Sequence, residues 1–293
     1  MFLIIGYGLI GKSLYRRLKE SGQRVMVISR TVPQNHPDFV SADINAIMSY
    51  ERYFDNITTV IHCLHTTVPA TSFEDELYDI QSNLMPFVSI LNICKRNNVR
   101  DFIYISSGGA VYGLQEEPLN VNEMNTTNPL SSYGITKLAC EKYLQLHRYD
   151  FKGKVYILRP SNVYGNNQKT SKPNGIIGHA INACANDLLF RVWGSGNGIK
   201  DYLYVEDLID AIILLINSKK KSGNIIYNIA SGYTYTINQI LSKVENRFCK
   251  SIYTEYSERK IFDVESIVIN SSLFRANFNW APTHTLDQFL DEY

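Results

Sequence analysis

Residues 2–11 read Phe2-Leu3-Ile4-Ile5-Gly6-Tyr7-Gly8-Leu9-Ile10-Gly11, an apolar run that opens into glycines spaced G-x-G-x-x-G. The first four residues predict a buried strand, and the amphipathic pattern over 10–21 predicts the helix that follows. Between them, Gly6 permits a tight turn, Gly8 lets backbone amides approach a ligand, and Gly11 lets helix pack close on strand. The helix N-terminus then offers free N–H groups and partial positive charge to an anion. In this strand–loop–helix setting the motif points to a dinucleotide pyrophosphate. A glycine-rich turn without a ligand is the bland alternative. Gly6 also interrupts the apolar run too early for a signal-peptide core.

The same alternation continues through the N-terminal half. Strands are predicted at 2–5, 24–29, 59–63, 101–106 and 154–159, with helices at 10–21, 82–97 and 131–149. Runs such as Val155-Tyr156-Ile157-Leu158 are apolar at consecutive positions, as in strands buried on both faces. The predicted class is α/β: a Rossmann-type doubly wound parallel sheet with a smaller C-terminal α/β substrate lobe. Residues 1–165 are expected to form a domain binding NAD(P), to which 201–230 return, and 166–293 the lobe. Within the lobe, 166–175 read as a polar loop, 176–185 as a helix, and 194–198 as a glycine-rich turn after a short strand. Strands at 203–205 and 225–229 flank a helix starting at Glu206, and the last stretch, from 235, reads as a small α/β cap. The helix over 82–97 is apolar around most of its circumference. Its second face is covered either by another subunit or by a deep position within the chain.

Composition excludes several classes. The chain has 293 residues, 29 Lys+Arg against 28 Asp+Glu, and 45% hydrophobic residues, so it has neither the charge nor the polarity of a disordered segment. A net charge of +1 gives no reason to expect a nucleic-acid partner. Lys219-Lys220-Lys221 reads as a solvated turn. The five cysteines are scattered and never spaced C-x-x-C, which argues against a metal site or disulfide framework and for a reducing, cytoplasmic setting. No apolar run is long enough to span a bilayer.

The end of the second strand bears on the cofactor. NAD sites place an acid there to bind the adenosine ribose hydroxyls, whereas this chain reads Val27-Ile28-Ser29-Arg30. A hydroxyl beside a guanidinium suits a 2′-phosphate, so Ser29 and Arg30 favour NADP over NAD. Stacking of Arg30 on adenine would leave NAD possible. Asp43 sits where a third strand would end; it can bond the adenine edge or cap the next helix.

Tyr133-Gly134-Ile135-Thr136-Lys137 places a phenol and an ammonium on one helix face. The ammonium and a cationic nicotinamide are expected to lower the tyrosine pKa. Ser106-Ser107-Gly108-Gly109 ends a predicted strand, where ligands bind in open α/β sheets, and a hydroxyl there can polarise a carbonyl.

With these motifs in place, the chain resembles the extended short-chain dehydrogenases/reductases, specifically the NAD-dependent epimerase/dehydratase group acting on nucleotide sugars. The resemblance is carried by Val60-Ile61-His62, the Thr66 to Thr71 segment, Asn83, Ser106 to Gly113, Tyr133 to Lys137, Leu158 to Gly165, Lys200 to Leu208 and Tyr227 to Gly232. It implies that Tyr133 is the acid/base at the sugar 4-position and that Lys137 binds the nicotinamide ribose. Counting from the strand makes Ser107 the catalytic hydroxyl; counting back from Val111 lands on Gly108, and the strand is the firmer anchor. The implied cofactor contacts are Gly6, Gly8, Leu9, Ile10, Gly11, Ser29, Arg30, Asp43, Ile44, Cys63, Leu64, Asn83, Tyr133, Lys137, Pro160 and Ser161. The nucleotide-diphosphate sugar falls to Thr67, Ser107, Gly108, Tyr133, Asn162, Lys200, Arg259 and Lys260. The family usually has arginine at Lys200 and often near Lys260, where Arg259 can compensate. His62 and His65 are expected to line the cofactor pocket. A homodimer through the helices of Asn83 and Tyr133 is implied as well.

Three functions compete: an NADPH-dependent reductase of a nucleotide-linked 4-keto sugar, a 4-epimerase with tightly held NAD, and a non-catalytic nucleotide binder. The complete Ser107–Tyr133–Lys137 set argues against the binder. Gly108-Gly109 stand where resembling 4,6-dehydratases carry an Asp-Glu pair, which argues against dehydration. The serine-glycine turn and Pro160-Ser161-Asn162 resemble 4-epimerases, while Ser29-Arg30 and the short C-terminal lobe resemble reductases and put the reductase slightly ahead.

Overall fold

Val60, Ile61, Ile157 and Leu158 are almost wholly removed from solvent, as their continuous apolar runs require of strands covered on both faces. The computed structural model describes residues 1–33, 35–166, 175–219 and 225–292. In it β1 (Phe2–Ile5), β2 (Val25–Ser29), β3 (Phe39–Ser41), β4 (Thr59–His62), β5 (Asp101–Ile105) and β6 (Val155–Pro160) lie in one parallel sheet. They are followed along the chain by β7 (Asn162–Tyr164), β8 (Phe190–Trp193), β9 (Lys200–Tyr204) and β10 (Ile226–Ile229). The large sheet runs β10-β6-β5-β4-β1-β2-β3, all neighbours parallel. Chain order reverses between β1 and β4, which opens a crevice at the carboxyl ends of those strands.

Side chains alternate between two cores. Ile4, Val27, Ile61 and Ile103 face one, with Leu14 and Leu18 of α1 (Leu9–Glu20). Leu3, Ile5, Val60 and Phe102 face the other. The helices between α1 and the lobe are α2 (Pro69–Glu74), α3 (Glu76–Asp79), α4 (Met85–Arg96), α5 (Gly108–Tyr112) and α6 (Ser132–His147). They are followed by α7 (Ile176–Asn186), α8 (Val205–Asn217) and α9 (Ile237–Phe248). Arg16 and Arg17 of α1 pair with Glu206 and Asp210 of α8.

The predicted helix over 82–97 differs in detail. It enters as a π turn over Ile80–Leu84 and becomes α-helical at Met85–Arg96, with Pro86 in its first turn. Proline has no N–H to give the carbonyl of Ser82, so one α-helical register cannot run through it. Its second face is mostly covered from within the chain, where Phe87, Ile90, Leu91, Ile93 and Cys94 are buried and Met85 is exposed. The strand predicted at 203–205 is the end of β9, and it lies outside the large sheet. β9 sits between β7 and a short β11 (Thr234–Tyr235), while β8 pairs with β12 (Thr254–Ser257). The chain returns to the large sheet with β10. Most of the predicted 166–175 loop, and Lys220 and Lys221, lie outside the described residues. Among the described residues no helix is long and apolar enough to cross a membrane.

Candidate active site

The crevice is a cavity of about 620 Å³, within the range of small-molecule sites. One wall is the glycine loop. Gly6 has φ +102°, and a Cβ there would stand 2.9 Å from the backbone of Leu64. A Cβ on Gly11 would stand 2.0 Å from the Gly6 carbonyl oxygen, whereas one on Gly8 meets nothing within 4 Å. Gly8 is the N-cap of α1 and has no side chain to satisfy the first N–H groups, which are left for a ligand. These features fit the pyrophosphate of a dinucleotide. Leu9 and Ile10 complete this wall.

Ser29 and Arg30 line the cavity beyond β2, joined by Thr31 and Lys12, which the sequence reading passed over. Lys12 directly follows the last glycine of the motif, and that position was the available signal. Among the described residues, Asp263 is the only acid lining the cavity, and it belongs to the lobe. Asp43 is not in the lining; its carboxylate accepts from Asn45 N at 3.0 Å and caps the Ile44–Phe54 turns. Ile44 is buried beside it. Of the two alternatives for Asp43, the structure has the cap.

α6 delivers Tyr133 and Lys137. Ser131 Oγ accepts from Gly134 N at the N-cap, and Tyr133 N donates to Ser72 Oγ of α2 at 3.0 Å. The side chain of Ser107, just after β5, stands beside that of Tyr133. Gly108 is packed against Ile269 instead, outside the cavity lining. Of the two countings, Ser107 is therefore the one that meets Tyr133. Lys137 is buried, and its Nζ donates to the Ile105 carbonyl at 2.8 Å, 5.8 Å from the Tyr133 ring centroid.

The chain's own groups, apart from any cofactor charge, together act on the phenol of Tyr133 in the raising direction. Burial of the phenol raises its pKa to about 12, with the charge of Asp79 acting in the same direction and Ser107 only partly opposing it. Burial also brings Lys137 down to about 8.

Cys63, Leu64, His65, Thr67, Pro160 and Ser161 also line the cavity. His62 does not: it points into the core against Phe87 and Tyr104. Asn83 is likewise behind the wall, where its Oδ1 accepts from Thr66 N at 2.8 Å. At the lobe end the lining includes Asn162 and Lys200, with Trp193, Tyr202 and Phe262 as aromatic walls. Asn162 Nδ2 donates to the Asp201 carbonyl, and Lys200 Nζ pairs with Asp263 at 2.8 Å. Arg259 pairs with Glu265 at 2.7 Å, and it and the exposed Lys260 are absent from the lining of the large cavity. Asp43, Ile44, Asn83, Gly108, Arg259 and Lys260 are thus not among the residues that line the large cavity. Among the described residues no group of three or more His, Cys, Asp or Glu is placed to hold a metal.

Comparison with known proteins places this geometry. A family model described as the NAD dependent epimerase/dehydratase family matches residues 2–230. The dTDP-4-dehydro-6-deoxyglucose reductase of Escherichia coli is 29% identical over 237 residues, covering 81% of this chain and 74% of the relative. The UDP-glucose 4-epimerase of Lactobacillus helveticus is 26% identical over 311 residues, covering 97% of this chain and 92% of the relative. Among solved structures, the UDP-glucose 4-epimerase of Thermus thermophilus in complex with NAD superposes with a TM-score of 0.90 at 25% identity, covering 99% of this chain and 96% of that one.

Proposed function

Since the chain belongs to the NAD dependent epimerase/dehydratase family, we propose that it reduces a nucleotide-linked 4-keto sugar at C4 with NADPH. It is an enzyme of the short-chain dehydrogenase/reductase type, like its relatives. The observation that carries the reading is the end of β2, where Ser29, Arg30 and Thr31 line the cavity with no carboxylate among them, while Lys12 lines it from α1. A guanidinium beside two hydroxyls suits a 2′-phosphate, which a carboxylate would repel. A cofactor that exchanges at every turnover belongs with a reductase; an epimerase regenerates its own.

When bound, the nicotinamide supplies a hydride to C4. Tyr133 gives its phenolic proton to the O4 oxygen, as a protonated phenol can do at neutral pH. Ser107 donates a hydrogen bond toward the same oxygen and orients the carbonyl. Lys137 holds the nicotinamide ribose, and Cys63, Leu64, Pro160 and Ser161 enclose that end. Thr67, Asn162 and Lys200 face the nucleotide sugar, whose diphosphate Lys200 meets as a point charge. Residues 1–165 hold mainly the cofactor and 166–293 mainly the sugar nucleotide. A second copy of the chain covers the exposed Met85, Ile135 and Leu146 of α4 and α6, and the enzyme works in the cytoplasm.

The epimerase reading is favoured by the matches to 4-epimerases, such as that of L. helveticus over nearly the whole chain and the T. thermophilus structure. Native mass spectrometry of the purified protein, with NADPH and NADH titrations, separates the two. Co-purifying NAD would support the epimerase and defeat the reductase. Exchangeable binding that favours NADPH is the expected result. Arg30→Ala should weaken NADPH by roughly tenfold and NADH by less than about twofold. Equal losses would remove the cofactor assignment.

A further inference from the structure

Asp79 closes α3, immediately before the π turn of Ile80–Leu84, and is fully buried. A carboxylate withdrawn from water persists only where donors replace its hydration. Here Oδ2 accepts Ser132 Oγ at 2.7 Å and Thr136 Oγ1 at 2.9 Å, both from the first turns of α6. Oδ1 accepts Asn83 Nδ2 at 2.9 Å and the hydroxyl of Thr67 on the cavity wall. His65 Nε2 stands 3.4 Å from Oδ1, and its ring meets Tyr133 edge-on with 4.5 Å between centroids. One buried charge thus joins the wall after β4, the π turn and the helix that carries Tyr133.

We propose that Asp79 is a positioning residue of the proton-transfer site: its carboxylate clamps α6 to the cavity wall, sets the Tyr133 ring between His65 and Ser107, and places a buried negative charge next to that ring's neighbours. The role of Tyr133 as an acid rests on the reduction proposed above; the clamp and its charge do not.

Burial opposes ionisation of Asp79, but the donors around it outweigh burial and hold its carboxyl at about 2. Burial takes His65 to about 4, so the imidazole is neutral near pH 7 and leaves the charge of Asp79 uncancelled. Tyr133 is faced by Ser107 and Tyr104 from the β5 side, by His65 from the wall and by Lys137 from its own helix. The Lys137 ammonium is committed to the Ile105 carbonyl. Among these groups Asp79 is the negative charge, and a negative neighbour disfavours a phenolate.

The test is Asp79→Asn in the full chain labelled with 13Cζ-tyrosine, the Tyr133 signal being identified by its loss in Tyr133→Phe. Titration toward about pH 10.5 should leave wild-type Tyr133 near its neutral position, while in Asp79→Asn the onset of ionisation moves down by roughly one pH unit. Superimposable titrations would overturn the proposal. Because the new amide of Asp79→Asn faces the amide of Asn83, a second variant combines it with Asn83→Asp. That exchange keeps a carboxylate and an amide in the cluster but moves the charge toward Thr66, away from α6. It should give the same downward shift, and an unmoved Tyr133 signal in the exchanged variant counts equally against the proposal. Neither titration needs a substrate. A wild-type enzyme that fails to oxidise NADPH with dTDP-4-dehydro-6-deoxyglucose would count against the proposed reduction of that sugar and leave the titration to decide the clamp.

Discussion

At the sheet end of the cavity the ligand-facing groups are largely backbone and single side chains held by regular elements. At the lobe end they are side chains already engaged with one another. Gly8 leaves the first amides of α1 open, and α6 presents Tyr133 and Lys137 from one helix face. Across the cavity, Lys200 is held by Asp263, and Arg259 is drawn away by Glu265. The sheet end is preformed and tolerates little change. The lobe end must exchange partners when a substrate arrives, which costs part of the binding free energy but lets the same fold accept different substrates.

The comparison breaks most visibly at Tyr133. Removing the phenolic oxygen with Tyr133→Phe should lower kcat by about 10³-fold, within the range for loss of a general acid. NADPH affinity should stay within about twofold, because the glycine loop and the β2 corner are untouched. Steady-state kinetics with a fluorescence titration of NADPH checks both halves. A variant that keeps turnover would remove Tyr133 from the chemistry.

A smaller effect sharpens the contrast within the glycine loop. Gly11→Ala places a methyl 2.0 Å from the Gly6 carbonyl oxygen, so the α1–β1 contact must open. That should cost about 1–3 kcal/mol in denaturant unfolding. Gly8→Ala meets open space, so it should leave stability within about 0.5 kcal/mol while weakening NADPH. Two alanines three residues apart would then separate a packing role from a ligand-facing one. Equal destabilisation by both would show that the loop is read wrongly.

This division also decides what the sequence could disclose. The sheet was legible because consecutive β-branched and apolar residues, as in Val60-Ile61, can satisfy themselves only when covered on both faces. The glycine loop was legible because its geometry depends on a missing side chain. Ser107 could be chosen over Gly108 by counting from β5, since a strand end is fixed by the sheet register. Asn83 was singled out but its part in the site was not visible, for it supports Thr66 and Asp79 from behind the wall. Asp79 itself was missed. An acid four residues before Asn83 suggests a shared helix face, but nothing in linear order brings Ser132 and Thr136 to it. The burial of Tyr133 was hidden for a related reason: sequence supplied the neighbouring lysine but not the burial, which is the largest effect of the chain's own groups on the phenol. Arg259 and Lys260 were named through the family resemblance, whereas the placement of Arg259 depends on its pairing with Glu265.

The lobe end is tested most finely by the two cations that look interchangeable in sequence. Lys200 lines the cavity and Arg259 does not, so Lys200→Met should raise KM for the nucleotide sugar by about tenfold with little change in kcat. Arg259→Met should change KM by less than about twofold, as expected for an exposed pair outside the cavity. Part of the Lys200 effect comes from Asp263, which is left without its cation and facing a diphosphate. Lys200→Met combined with Asp263→Asn should therefore recover some of the loss, because the repulsion goes while the missing attraction remains. If Arg259→Met were the more damaging change, the substrate diphosphate would have to reach the side of the lobe that Glu265 now closes. The lobe end would then rearrange on binding by more than a single exchange of partners at Lys200.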